Sequence, residues 1–249
     1  MNNAYYIAAN SMMSQEKVFS TISGNIANIN TNGYKKTSVS FSDLMYSFQQ
    51  TASSSEYSIG SGITVNGYDK DFQYGNLKET GSNLDIAFEK DGFLTLTDGD
   101  ERYYTRGGNF TLSAVGEGFY LANNDGYFLL DADDNTIQIS QEERDFEIDS
   151  NGVISFKNSD RVVNLAITSF ENPEKLQPFG NNLYIAGLEL KENTQTADII
   201  LRQGFVEQSN VDIATEMTDL IQAQRLYQMN SKILQIMDEI SGMANRLRK

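Results

Sequence analysis

The chain has 249 residues, enough for two modest domains, and 39% of them are hydrophobic, enough for a packed core. It carries no cysteine, histidine or tryptophan, which removes disulfides, thiolate metal sites, a cysteine nucleophile and the commonest general base and metal ligand. The formal charge of -15 argues against nucleic acid, whose phosphates select basic faces.

That charge is unevenly spread. Residues 1–36 carry +2, residues 209–249 are neutral, and the middle therefore holds -17. Near-neutral ends can pack against copies of themselves, whereas a strongly acidic centre repels its neighbours and prefers solvent. No apolar run approaches the roughly 20 residues of a membrane span. Residues 1–11 contain no basic segment, so export without a cleaved signal peptide is expected if the chain leaves the cytoplasm.

At the N-terminus, Tyr5, Met12, Phe19 and Ile26 recur every seven residues, and Ala8, Gln15, Ile22 and Ile29 fill a second heptad position. The spacing predicts an amphipathic helix from about Asn3 toward Ile29. The run Asn28-Ile29-Asn30-Thr31-Asn32-Gly33 tolerates left-handed backbone angles and reads as its stop, with Gly33 as the terminal residue.

Residues 37–68 are rich in serine, threonine and glycine, as in Thr51-Ala52-Ser53-Ser54-Ser55 and Gly60-Ser61-Gly62. A free tether would not need Phe41, Leu44, Met45, Tyr46 and Phe48. We read the segment as an extended arm that orders on assembly, with a short helix over 42–49. Beyond Asp69 the period changes. Turns at Asp98-Gly99-Asp100, Gly116-Glu117-Gly118, Asn123-Asn124-Asp125-Gly126 and Asn151-Gly152 separate short β-rich runs at 93–97, 119–122, 127–130, 153–157 and 162–170. This spacing predicts an antiparallel β domain.

The C-terminal stretch returns to helix. Leu226, Met229, Ile233, Ile236, Ile240, Met243 and Leu247 form an unbroken heptad seam, and Ile213, Leu220, Tyr227 and Leu234 form a second row. From Val211 to Leu247 the helix would be about 55 Å long, and its wide apolar face calls for more than one partner. Ser209 or Asn210 is the expected N-cap, with Asp212 in the first turn.

Candidate sites of chemistry are weak. Asp131, Asp133, Asn135 and Glu142 match four positions of a calcium loop, but Thr136 stands where glycine is needed, so an acidic hairpin turn is expected and no metal. With 34 acidic residues, carboxylate pairs of the kind that cut glycosidic bonds arise by chance, and no spacing singles one out. Arg225 suits a bidentate pair with a carboxylate between subunits, or an exposed polar face.

Ser23-Gly24-Asn25-Ile26-Ala27-Asn28-Ile29-Asn30-Thr31-Asn32-Gly33-Tyr34-Lys35 resembles the N-terminal signature of the bacterial flagellar rod and hook protein family, departing at Gly24, where asparagine is usual. The resemblance continues through Asp71-Phe72-Gln73-Tyr74-Gly75-Asn76-Leu77, Tyr104-Thr105-Arg106-Gly107-Gly108-Asn109-Phe110 and Phe170-Glu171-Asn172-Pro173. It ends with Gln208-Ser209-Asn210-Val211-Asp212 and the helix that follows. The family motif residues are Asn25, Asn28, Asn30, Thr31, Gly33, Lys35, Gln208, Ser209, Asn210 and Val211.

An α+β chain follows: a discontinuous N- and C-terminal α-helical coiled-coil unit, with an inserted antiparallel all-β domain and an extended arm. The expected divisions are 1–33, 34–70, 71–203 and 204–249. The resemblance implies a non-enzymatic subunit of the basal-body rod, distal rather than proximal, that spans the periplasm and self-assembles into a torque-transmitting helical tube without cofactors. Tyr5, Met12, Phe19, Ile22, Ile26, Ile29, Arg225 and the seven seam residues are the expected subunit interface. Implied partners are copies of itself, adjacent rod and hook proteins, the flagellar export apparatus and the surrounding ring proteins. Outside the family, the alternative is an adhesin-like or ligand-binding β domain trimerised through its helices.

Overall fold

Heptad spacing at both chain ends gives the two long helices of the computed structural model, α1 (Asn2–Ala27) and α2 (Ile213–Leu247). The structure describes residues 2–44, 47–50, 56–59, 62–99, 101–116, 118–187, 190, 192–193 and 199–247. Met45, Tyr46, residues 51–55, Gly60, Ser61, Asp100 and Glu117, which entered the reading of the arm and turns, lie outside them. Two compact units result. One comprises Met1–Ala27, Thr37–Asp71 and Val211–Lys249; the other comprises Asn28–Lys36 and Phe72–Asn210.

In the first unit α1 packs against α2 and against two paired strands, β1 (Thr37–Asp43) and β4 (Ile63–Lys70). The helices run antiparallel: Asn25 meets Glu216 near one end, and Gln15 and Phe19 share a groove with Ala223 and Gln228 further along. β1 and β4 pair antiparallel from Thr37↔Lys70 to Asp43↔Ile63, with a bulge between Ser40 and Phe41. Between them in sequence a second pair forms, β2 (Ser47–Gln50) with β3 (Glu56–Ile59). The short helix expected over 42–49 is therefore replaced by strand at Ser42, Asp43 and 47–49. Ser38-Val39-Ser40-Phe41-Ser42 alternates with the period of a pleated strand, not of a helix.

The second unit is antiparallel β. Strands β5 (Leu77–Glu79), β6 (Ile86–Phe88), β7 (Phe93–Thr97) and β8 (Arg102–Thr105) open it. β7 and β8 form a hairpin in register Leu94↔Thr105 to Thr97↔Arg102 within a ten-stranded sheet. The expected run 153–157 is strand Val153–Phe156, whereas 162–170 divides into Val162–Asn164 and Ile167–Phe170. Val153–Phe156 pairs with Phe146–Ile148 on one side and Val162–Asn164 on the other in a separate three-stranded sheet. Leu94, Leu96, Leu121, Leu129, Ile137 and Ile139 are at most 1% exposed at the centre of the main core. A smaller aromatic cluster of Phe93, Tyr104, Phe170 and Tyr184 packs edge to face. Burial pushes the Tyr184 phenol well above its ordinary range.

Two short pairings close this unit. Leu201–Gln203 pairs with β6, and Phe205–Glu207 pairs with β5, matching Glu207 with Leu77. Packing is tight beside them: a Cβ at Gly108 would lie 1.5 Å from the Ile86 carbonyl oxygen. Gly108→Ala will lower stability by about 3 kcal/mol or more. Gly187→Ala, with open space around its Cα, will cost less than about 0.5 kcal/mol, both read from the guanidinium denaturation midpoint.

Candidate functional site

The densest polar constellation in the second unit joins three distant parts of its chain. Lys35, Arg106 and Glu207 are each at most 1% exposed. The Lys35 ammonium donates to Glu207 Oε1 at 2.7 Å, to the Gln73 carbonyl at 2.7 Å and to the Phe72 carbonyl at 3.4 Å. The Gly75 amide donates to the same Oε1 at 2.9 Å. Arg106 places Nε 4.0 Å from Glu207 Oε2, donates to the Lys90 carbonyl at 3.0 Å and lies 3.9 Å from the exposed Asp91 carboxylate. Its guanidinium carbon sits 5.4 Å from the ring centres of Phe88 and Phe93 and 5.5 Å from that of Tyr74, so aromatic faces supply part of the solvation that water would give. Burial, then the hydrogen bond with Asp91, raises the Tyr74 phenol above its usual pKa.

The family signature lies in this network. Asn28, Thr31 and Tyr34 shape a turn through Thr31 N to Asn28 O at 3.1 Å and Tyr34 N to Thr31 O at 3.3 Å. Gly33 then takes a left-handed φ of 69°. Its amide donates to the Glu207 carbonyl at 2.7 Å, and a Cβ there would meet backbone atoms of Arg106 and Gly107 at 2.6 to 2.8 Å. Gly33 is thus a close-contact turn residue beyond the helix, which ends at Ala27. Gln208 donates its amide to the Asn76 carbonyl at 2.9 Å. Asn210 is not the helix cap expected of it: its side chain accepts from the Lys36 amide at 2.7 Å and donates to the Gln73 carbonyl at 3.2 Å. Asn30 is exposed.

The first unit has its own buried polar knot. Asn25, 1% exposed, donates from Nδ2 to the Thr37 carbonyl at 2.9 Å and to Glu216 Oε2 at 3.1 Å, and accepts from the Thr37 amide at 3.0 Å. Glu216 is also 1% exposed. The cap of α2 is Asp212, whose carboxylate accepts from the Ala214 and Thr215 amides at 3.3 and 3.2 Å. Spacing pointed to Ser209 or Asn210, but Asn210 is already spent on Lys36 and Gln73.

The heptad rows divide by exposure. On α1, Ala8 and Ile22 are buried, whereas Tyr5 and Phe19 are exposed and Met12 and Ile26 are intermediate; Ile29, in the turn beyond the helix, is intermediate too. On α2, Glu216 and Ala223 are buried and Leu220 and Leu234 partly so, while Val211 is buried ahead of the helix. The whole seam of Leu226, Met229, Ile233, Ile236, Ile240, Met243 and Leu247 is 40 to 88% exposed, and Arg225 is exposed beside it. An open groove of about 470 Å³ lies between the helices, lined by Gln15, Phe19, Ala223, Gln224, Tyr227 and Gln228.

The acidic stretch at Asp131 forms a turn. Leu130 and Thr136 bridge antiparallel, and the Asp131 carboxylate accepts from the amides of Asp133 and Asn135 at 2.9 and 2.8 Å. Among the described residues no group of three or more Asp or Glu side chains is placed to hold a metal ion. No helix is long and apolar enough to cross a membrane among them.

A buried polar knot within each unit, with apolar side chains exposed along the terminal helices, marks a structural protein. Three family models match in chain order: flagella basal body rod protein over 6–35, flagellar hook protein FlgE/F/G D1 domain over 87–156, and flagellar basal body rod FlgEFG protein C-terminal over 202–247. The flagellar basal-body rod protein FlgG of Bacillus subtilis (strain 168) is 32% identical over 262 residues, covering 96% of this chain and 97% of that protein. The protein of the same name from Borreliella burgdorferi is 32% identical over the full length of both. The flagellar hook-basal body complex protein FlhP of Bacillus subtilis is 31% identical over 97% of each. The chain belongs to the flagellar basal-body rod protein family. It is a structural subunit of the rod in the flagellum, not an enzyme, and assembles with itself and with other basal-body components.

Sequence reasoning missed Arg106, Glu207 and Glu216 as buried charges. The available signal was a lone charge closing an apolar run, as in Gly204-Phe205-Val206-Glu207. Asn25→Ala removes three hydrogen bonds, one of them to a buried carboxylate, and will cost about 2 to 4 kcal/mol. Asn25→Asp sets a second negative charge against Glu216 and will cost more at neutral pH, as read from thermal unfolding at 222 nm.

Proposed function

We propose that the chain is a distal rod subunit that self-assembles into a helical tube and transmits torque through packed terminal helices. The observation that carries this reading is the α2 seam, whose seven apolar side chains are 40 to 88% exposed in the single chain. Full burial of one such side chain is worth about 1.5 to 3 kcal/mol, so covering the seam from its half-exposed start supplies several kcal/mol per subunit. Tyr5, Met12, Phe19 and Ile26 extend the contact surface on α1, with Ile22 packed behind them; Ile29 contributes from the turn that follows, and Arg225 meets a carboxylate of a neighbouring subunit. Repeated contacts between different faces give an open-ended array.

The distal position is supported by the resemblance of the segment from Phe41 through Gly62-Ile63 to Asp71-Phe72 to the rod form of the family. Axially, the partners are adjacent rod and hook proteins, with ring proteins around the rod as it crosses the periplasm. The flagellar export apparatus delivers the chain.

Ile233→Glu combined with Ile236→Glu tests the assembly reading. Monomer helicity will stay within about 10% of the parent by circular dichroism, and sedimentable polymer will disappear. Polymer of undiminished length, or a parent protein that stops at a closed oligomer of fixed mass, overturns the reading.

A further inference from the structure

Residues Asn28–Lys36 belong to the β unit yet contribute no strand to it. Gly33 N donates to Glu207 O at 2.7 Å, Lys35 Nζ to Glu207 Oε1 at 2.7 Å and Lys36 N to Asn210 Oδ1 at 2.7 Å. Lys35 Nζ also donates to the Gln73 and Phe72 carbonyls at 2.7 and 3.4 Å, and Asn182 Nδ2 donates to Asn32 O at 3.0 Å. Residues 207–210, the last stretch of the unit along the sequence, thus supply three of these contacts, including the only carboxylate among them, 172 positions beyond Lys35.

Charge makes that dependence steep. The pocket holds two cations, Lys35 and Arg106, around one carboxylate, each at most 1% exposed. Before Glu207 is in place, docking Lys35 would bury an ammonium beside a guanidinium with carbonyl oxygens as its only acceptors, a desolvation of several kcal/mol with no counter-ion. β7 and β8 pair with one another and bury Leu94, Leu96 and Tyr103 without Lys35 or Glu207.

We propose that the Lys35–Glu207 contact is a folding latch: residues Asn28–Lys36 dock only after Phe205–Asn210 has closed onto β5, while the core sheet folds without either. Until then the segment that follows α1 in the chain stays in solvent. Closing the latch captures the two chain crossings of the β unit together, so the unit is completed only by a chain present through residue 210. This goes beyond the rod reading and does not rest on it.

Hydrogen exchange and limited trypsin digestion of the full chain test the latch. In the parent protein, 28–36 will be protected and cleavage after Lys35 and Lys36 slow. Glu207→Gln keeps the side-chain shape and the Gly75 contact but removes the charge; exchange across 28–36 will rise at least tenfold with β7 and β8 unchanged, and trypsin will cut there correspondingly faster. Because Glu207→Gln also disturbs Arg106, Lys35→Met is read beside it, since it leaves Arg106 facing Glu207. Release of 28–36 over an intact core in Lys35→Met supports the latch. Equal loss of protection in core and segment, or a segment as protected as in the parent, overturns it.

Discussion

Taking the Glu207 carboxylate out of water costs several kcal/mol, and the chain offsets that cost in one arrangement only. The ammonium of Lys35 and the amide of Gly75 converge on one oxygen, and the guanidinium of Arg106 approaches the other. A buried ion trio of this kind adds little net stability compared with a well-packed apolar substitute, but removing Glu207 leaves two buried cations without their carboxylate, a loss of about 3 to 5 kcal/mol. Its effect is on specificity. Residues 35, 106 and 207 have no other way to be buried together, so the turn after α1, the end of β8 and the strand before α2 are fixed in one register. Asn25, Thr37 and Glu216 do the same within the helical unit, using an amide that can donate and accept at once.

These polar knots explain why the family signature is rich in asparagine, glycine and lysine at a place where a helix merely ends. Gly33 is there because backbone atoms of Arg106 and Gly107 leave no room for a side chain. Asn210 is there because its amide bridges the backbones of Lys36 and Gln73. The helices divide labour differently. Small or polar residues such as Ala8, Ala223 and Glu216 face inward, while the larger apolar side chains of the seam face out, the reverse of an ordinary globule.

Periodicity made the helices and the principal strands legible. Heptads placed α1 and α2 to within a few residues, and the run at 93–97 coincides with β7. Within the segment read as an extended arm, the short helix over 42–49 was the misreading: the alternation around Val39 and Phe41 already had a strand's period, and pairing with β4 satisfies the backbone of β1. The cap of α2 went to Asp212 because side chains near a helix start compete for several backbone targets, and sequence does not say which are already taken. Buried charges were the least legible of all. A lysine, arginine or glutamate reads as surface until its partners are brought together from more than a hundred residues away.

The absence of cysteine leaves methionine as the chain's only sulfur, and Met229 and Met243 stand on the α2 seam at 55 and 56% exposure. Oxidation converts such a thioether into a polar sulfoxide, which would place an oxygen dipole on the proposed contact surface. A subunit damaged before incorporation would lose apolar contact area, whereas one already packed would hold its sulfur away from soluble oxidants. With the seam as the proposed contact surface, exposure of these two side chains makes the free subunit the redox-vulnerable form and the packed subunit the protected one.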